Sequence, residues 1–274
     1  MKGALTLFAQ DAESKLLLYT AADIQRHQAN EQVLEFLSLW KSVQGGVKPT
    51  LVFDSRFTTY PHLSALNTQG VRFITLRRRG SRLLSQVDQL TPWQRITIPH
   101  PKRTYPHPLV HESTVTLRGY QGLVHQGVIR GNGHAKPTFL ITNDFDMPLA
   151  LLVGHYARRW RVENGIAEAV KFFPLNALSS PILIKVHFDV AMTMIADTLY
   201  RMLAKQLRGF EHCNAPKLYR HFIQTTGVVD IRHTELIITF PRRAHNPILR
   251  AVPWHRLPLT LPALKATNLT FRFQ

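Results

Sequence analysis

Cysteine occurs once in the 274 residues, at Cys213. That excludes an internal disulfide and a cysteine-built zinc site, and it suits a reducing cytoplasm. Acids are scarce too: 17 Asp and Glu stand against 34 Lys and Arg, for a formal net charge of +17. No apolar run has the make-up of a membrane span. The longest, Pro181 to Ala204, is interrupted by Lys185, His187, Asp189 and Asp197, so it reads as a buried core helix and no membrane partner is expected. The opening Met1 to Gln10 has one lysine and a short apolar stretch, too little for a signal peptide. Internal repeats and low-complexity linkers are also missing.

What is present can fold. An apolar content of 45% over this length supports a full core and one or two globular domains. The excess cations are spread along the chain rather than gathered in a tail, so they belong to the folded surface. A polyanion is the natural partner. Nucleic acid fits best, because cations that displace counterions from a phosphate backbone gain free energy, whereas alone they repel one another.

Hydrophobic patterning gives an order of elements. Leu5 to Gln10 and Leu16 to Ala21 read as two strands of a hairpin across a polar turn. Val33, Leu34, Phe36, Leu37, Trp40 and Val43 recur at helical spacing behind a cap at Asn30, and Gly45-Gly46 ends that helix. Thr50 to Asp54 is a short strand, Ser64 to Asn67 belongs to a helix ending near Gly70, and Val71 to Leu76 is another strand. Strand, strand, helix, strand, helix, strand is an α/β order with helices packed over a sheet. Residues 91–142 are rich in Pro, Gly, Thr and Val and alternate like strands. Helical spacing returns over Pro148 to Phe173 and over Pro181 to Leu207. Beyond Phe210 come a short helix near Leu218 to Gln224 and a hairpin-like Val228 to Phe240.

Two places could carry chemistry. Asp54 follows Leu51-Val52-Phe53, which puts an acid at the carboxyl end of an apolar strand, where ligands of α/β sheets gather. Taken alone, such an aspartate is as readily the cap of the next turn. Tyr156, Arg159 and Glu163 fall at steps of three and four, hence on one helical face. Alone they could be an ordinary solvated ion pair, but Trp160, Val162, Ile166, Phe172 and Phe173 around them predict a packed helix, in which a carboxylate needs a counter-charge or a metal. Arg77-Arg78-Arg79 with Arg82, and Arg158-Arg159 with Arg161, adjoin these acids and suit phosphate contacts. His100, His107, His111, His125 and His134 lack a zinc spacing and read as surface or DNA-facing groups.

These residues carry a resemblance. Leu51 to Leu76 resembles the second-acid region of DDE transposases, and Tyr-Ala-Arg-Arg-Trp-Arg-Val-Glu, Tyr156 to Glu163, is similar to the tyrosine, arginine, glutamate, lysine signature of the insertion-sequence branch. Pro137 to Asn143 resembles the strand leading into that helix. The resemblance implies a bacterial, nucleoid-associated enzyme of DNA transposition. It implies an RNase H-like mixed sheet flanked by helices, with an all-β insertion before the helix bearing the last acid. Carboxylates of such a core hold Mg2+ or Mn2+ for cleavage and strand transfer on double-stranded DNA, at transposon ends and target, by a homodimer in a DNA complex. On this mapping Asp54 and Glu163 are catalytic and metal-binding, while Tyr156, Arg159, Lys171, Arg77, Arg78 and Arg79 contact DNA.

Two departures from the family pattern stand out. Val170 occupies the family's lysine position and Lys171 lies one step later, a turn of about 100° around a helix. The family's first aspartate ends the first strand, but here the chain opens with what look like strands two and three; Asp11 falls in a hairpin turn and Asp23 after the third strand. The expectation is a truncated, inactive copy whose first strand lies upstream of Met1. A non-catalytic DNA-binding remnant and an RNase H-like nuclease with another target remain open alternatives. The expected domain limits are 1–90 and 143–209 for the core, 91–142 for the β-rich insertion and 210–274 for a C-terminal region.

Overall fold

The computed structural model describes residues 5–25, 27–46, 48–98, 105–177, 180, 182–256, 260–261 and 267–274. The chain forms two compact units, Met1–Gly165 and Ile166–Gln274. Among the described residues no helix is long and apolar enough to cross a membrane.

The N-terminal unit opens with β1 (Leu5–Gln10) and β2 (Leu17–Ile24), an antiparallel pair that makes its own two-stranded sheet. Asp11 closes this hairpin: its Oδ2 accepts from the Ser14 amide and from Ser14 Oγ, both at 2.6 Å. Helix α1 (Gln32–Gln44) follows, starting one residue later than a cap at Asn30 would place it; Glu31 precedes it without a side-chain capping bond. Gly45, at φ 63, ends it in a conformation that strains residues with a Cβ. Then come β3 (Thr50–Val52), α2 (Tyr60–Thr68) and β4 (Arg72–Leu76), a β-α-β unit whose strands pair in parallel.

After α3 (Ser81–Ser85), the β-rich stretch supplies β5 (Gln94–Arg95), β6 (Leu109–Thr116), β7 (Leu123–Arg130) and β8 (Thr138–Thr142). These join the same sheet, in the order β3-β4-β8-β7-β6-β5, with every pair except β3–β4 antiparallel. The result is a six-stranded mixed sheet flanked by helices, consistent with an RNase H-like fold. Its central strands are apolar on both faces because both are covered. Alternation decides the sides: Phe73 of β4 and Ile141 of β8 point into a core with Leu63 and Leu66 of α2 and Phe36 and Leu37 of α1. Their neighbours Ile74 and Leu140 point the other way, into a core with Leu149, Leu152 and Val153. Those last three belong to α4 (Leu149–Arg158).

The expected continuous helix over Pro148 to Phe173 is interrupted. α4 stops at Arg158 and α5 runs from Trp160 to Phe172. At the joint the backbone tightens: the Arg159 amide bonds the Tyr156 carbonyl at 3.1 Å and the Val162 amide bonds the Arg159 carbonyl at 3.2 Å, both three residues back. Such tightening needs neither Pro nor Gly, which is why the sequence hides it.

In the C-terminal unit, α6 (Leu183–Gln206) is followed by α7 (Ala215–Leu218) and a π-helical turn, Tyr219–Ile223. β9 (Val228–Ile231) and β10 (Glu235–Phe240) form the expected hairpin. After α8 (Asn246–Arg250) and β11 (Thr260–Leu261), β12 (Thr267–Phe273) pairs in parallel with β10, giving the order β11-β12-β10-β9.

This unit holds a histidine pair. His245 Nε2 lies 2.8 Å from His221 Nδ1, so at least one ring must be neutral. Partial desolvation among the rings of Phe210 and Phe222 lowers the His221 pKa, and His245, Lys217, Arg220 and Arg243 lower it further. The unfolded chain therefore takes up this proton more readily than the folded one. Stability is full above the ordinary histidine value of about 6.5 and is lost as the pH falls through the lower folded value. Thermal melting of the chain should thus drop on acidification from roughly pH 7 to pH 5, and His221→Gln should flatten that dependence. An unchanged pH profile in His221→Gln would contradict the assignment.

Candidate active site at the carboxyl end of β3

Asp54 lies two residues past β3 and begins the turn Ser55–Phe57. Its Oδ1 accepts from the Arg56 amide at 3.1 Å and from Ser55 Oγ at 3.3 Å. Asp54 is therefore a turn cap, and the same role fixes its carboxylate at the strand end. Beside it opens a cleft of about 510 Å³, within the range of ligand sites. Asp54, Arg77, Arg78, Arg79, Tyr156 and Arg159 all line it. Residues from β3, from the end of β4 and from the α4–α5 joint, up to 105 positions apart, thus meet on one surface.

The arginines are held, each differently. Arg77 is half-buried and donates to Gln126 Oε1 at 2.6 Å; Gln126, buried on β7, donates in turn to Ser113 Oγ at 3.1 Å. Arg79 donates to the Pro137 carbonyl at 2.9 Å and Arg78 to the Ser55 carbonyl at 3.4 Å. None of these bonds is to a carboxylate, so the charges stay available to an anion. Gln126 lies 49 residues from Arg77, and nothing in the sequence signals the pairing.

On the opposite wall, the Arg159 guanidinium lies 5.6 Å from the centre of the Tyr156 ring and donates to Glu163 Oε1 at 2.6 Å. Burial opposes the Arg159 cation, but the bond to Glu163 and the nearness of Tyr156 and Asp54 outweigh it, and its pKa is raised. Tyr156 is likewise pushed up, first by burial and then by Asp54 and Glu163, with Arg159 pulling the other way. Asp54, Tyr156, Arg159 and Glu163 therefore form one electrostatic group.

Several expectations need correction. Glu163 is not buried: its side chain is 47% exposed. α5 is less packed than its apolar content implied, for Trp160 is 63% exposed and Ala169 is the one buried residue described in it. Its apolar side is an incompletely covered surface, and Arg159 supplies the counter-charge to Glu163. His111 and His125 are buried, not DNA-facing; His111 bonds the Pro92 carbonyl at 3.0 Å and His125 Nε2 lies 2.7 Å from Glu112. They sit on β6 and β7, whose inner faces are covered. His134 is exposed and does line the cleft. His100 lies outside the described residues, as does the side chain of Asp23. Lys171 belongs to the C-terminal unit, at the far end of α5.

The carboxylates do not make a two-ion site as they stand. Their oxygens are the right donors for Mg2+ or Mn2+, but among the described residues no three His, Cys, Asp or Glu side chains group to hold a metal, and Arg159 engages Glu163. A strand-end acid and a wall of arginines meet in a cleft beside the α/β sheet, a surface whose charge suits an anion. A family model described as "Transposase DDE domain" matches residues 7–199, and the chain belongs to that family. Membership implies DNA binding and a role in DNA transposition, suggests phosphoryl-transfer chemistry, and goes with the use of divalent metal ions. No curated protein matches the chain.

Proposed function

We propose that this chain is the catalytic domain of an insertion-sequence transposase of the Tyr-Arg-Glu-Lys branch, and that its cleft binds the DNA backbone. Asp54 and Glu163 act as two of the acids for cleavage and strand transfer, and a third is wanting. The observation that carries the reading is the meeting of Asp54, Tyr156, Arg159 and Arg77 to Arg79 on one cleft. A bidentate guanidinium contact from Arg159 and point contacts from the Arg77 to Arg79 run would hold a phosphodiester near Asp54. Tyr156, kept protonated by its raised pKa, would donate its hydroxyl to a phosphate oxygen.

Asp11 cannot supply the third acid while it closes the β1–β2 turn. β3 ends the sheet order, so a further strand pairing along its open edge would bring its own carboxyl end beside Asp54. The chain alone should then bind DNA without cutting it. Isotherms on duplex DNA over a salt series test the binding. Affinity should fall steeply, with a log–log slope of about −0.9 per phosphate contacted and little preference among sequences. A response flat in salt would refute the electrostatic surface.

A further inference from the structure

Two histidines of the C-terminal unit make a donor pair that a single proton completes. His245 Nε2 and His221 Nδ1 share one hydrogen across 2.8 Å, which leaves His221 Nε2 and His245 Nδ1 facing away from the bond. With both rings neutral, one of these outer nitrogens carries a hydrogen and the other a lone pair, whichever tautomers are adopted. One further proton turns both into donors and the pair into a cation. Both rings are half-buried. Among the described residues neither outer nitrogen has a hydrogen-bond partner, and neither is sealed from solvent. We propose that the His221–His245 pair is a proton-switched oxyanion site that takes a phosphate group, either of a nucleic-acid backbone or free in solution.

The surroundings select an anion. The Phe210 ring gathers the cluster: its centre lies 5.8 Å from that of His221, 5.6 Å from that of His245 and 5.4 Å from the Lys217 ammonium. Arg220 and Arg243 act on His221 as well. Arg243 donates to the Gln224 carbonyl at 3.3 Å, and among the described residues none of Lys217, Arg220 and Arg243 forms an ion pair. The acid of the adjoining loop, Glu211, accepts from the Gly209 amide at 2.9 Å and answers to His212 and Arg208. Desolvation and the neighbouring cations therefore keep the empty pair from charging. A phosphate supplies the missing counter-charge, so it binds the protonated pair more tightly, and by linkage its binding draws a proton in. A metal ion suits the place poorly. The same cations repel it, and among the described residues no third His, Cys, Asp or Glu joins the pair to hold one.

The test is an imidazole NMR titration of the whole chain between about pH 5 and pH 8, with His221 signals identified by their loss in His221→Gln. It is run in sodium chloride, in sodium sulfate at equal ionic strength, and with a short DNA duplex. Sulfate and phosphodiesters keep their charge over this range, so a change belongs to the protein. The expected result is a rise of about one unit in the apparent pKa of His221, equivalent to roughly ten-fold tighter binding by the protonated pair. A rise in sulfate alone assigns the site to a free dianion, and a rise with the duplex assigns it to a nucleic-acid backbone. His107, exposed in the N-terminal unit, serves as the internal reference. A His221 response no larger than that of His107 in every arm would overturn the proposal. The pair shares no residue with the cleft, and the sulfate arm needs no duplex, so failure here and failure of the cleft reading are told apart.

Discussion

Replacing Arg77, Arg78 and Arg79 together by glutamine is expected to weaken duplex DNA binding by about 100-fold near physiological salt and to make the salt slope shallower by about two to three. The three line the cleft, and their described bonds run to carbonyl and amide oxygens rather than to acids. Their charges are thus not neutralised within the chain, and each can release a counterion on binding. Glutamine keeps much of the stem, so Arg77→Gln removes the bond to Gln126 without emptying the space. Filter binding across a salt series, with circular dichroism to check the fold, measures the effect. A variant whose slope matches the wild type would move the DNA surface away from this cleft.

The largest effect on folding should come from Asp197→Ala. Asp197 and Arg201 pair at 2.6 Å on α6 with side chains only 7% and 14% exposed. Removing one partner leaves a buried guanidinium without its counter-charge, which costs about 3–5 kcal/mol, or roughly 10 °C or more of melting temperature in a unit of this size. The pair itself need contribute little, since both charges lost water to make it. Asp197→Leu combined with Arg201→Met should therefore recover most of the loss. Differential scanning calorimetry of the single and double variants decides it: equal losses would mean that the side-chain shapes matter and the stranded charge does not.

Much of the first unit was legible because each element carries a local signal. The alternation of Phe73 with Ile74 and the apolar triplet before Asp54 announce strands buried on both faces, and the helical spacing from Val33 to Val43 announces α1. The residues that meet at the cleft were singled out for other reasons: Asp54 follows an apolar strand, Tyr156 and Arg159 keep the family's spacing with Glu163, and the arginine run adjoins the acids. Geometry made by distant residues was not legible. The tightened joint at Arg159, the Gln126 anchor of Arg77 and the burial of His111 and His125 all depend on which strands become neighbours, and β7 is set by pairing with β6 and β8. The parallel pairing of β10 with β12, about 30 residues on, leaves no local pattern either. The apolar residues of α5 misled in the opposite sense, since apolar content fixes what could be buried but not what covers it.

The central claim is that Asp54, which lines the cleft, and Glu163, which pairs with the cleft residue Arg159, are two acids of a DNA-cutting site that needs a third. Its most direct test is a cleavage assay with Mg2+ or Mn2+ on duplex DNA carrying the parent element's ends, at concentrations where the chain is bound. The account predicts bound but uncut DNA, because two carboxylates, one of them paired with Arg159, cannot hold the attacking and leaving oxygens in a single geometry. Metal-dependent cleavage that Asp54→Ala abolishes would contradict it, and would mean that another carboxylate of this chain completes the site.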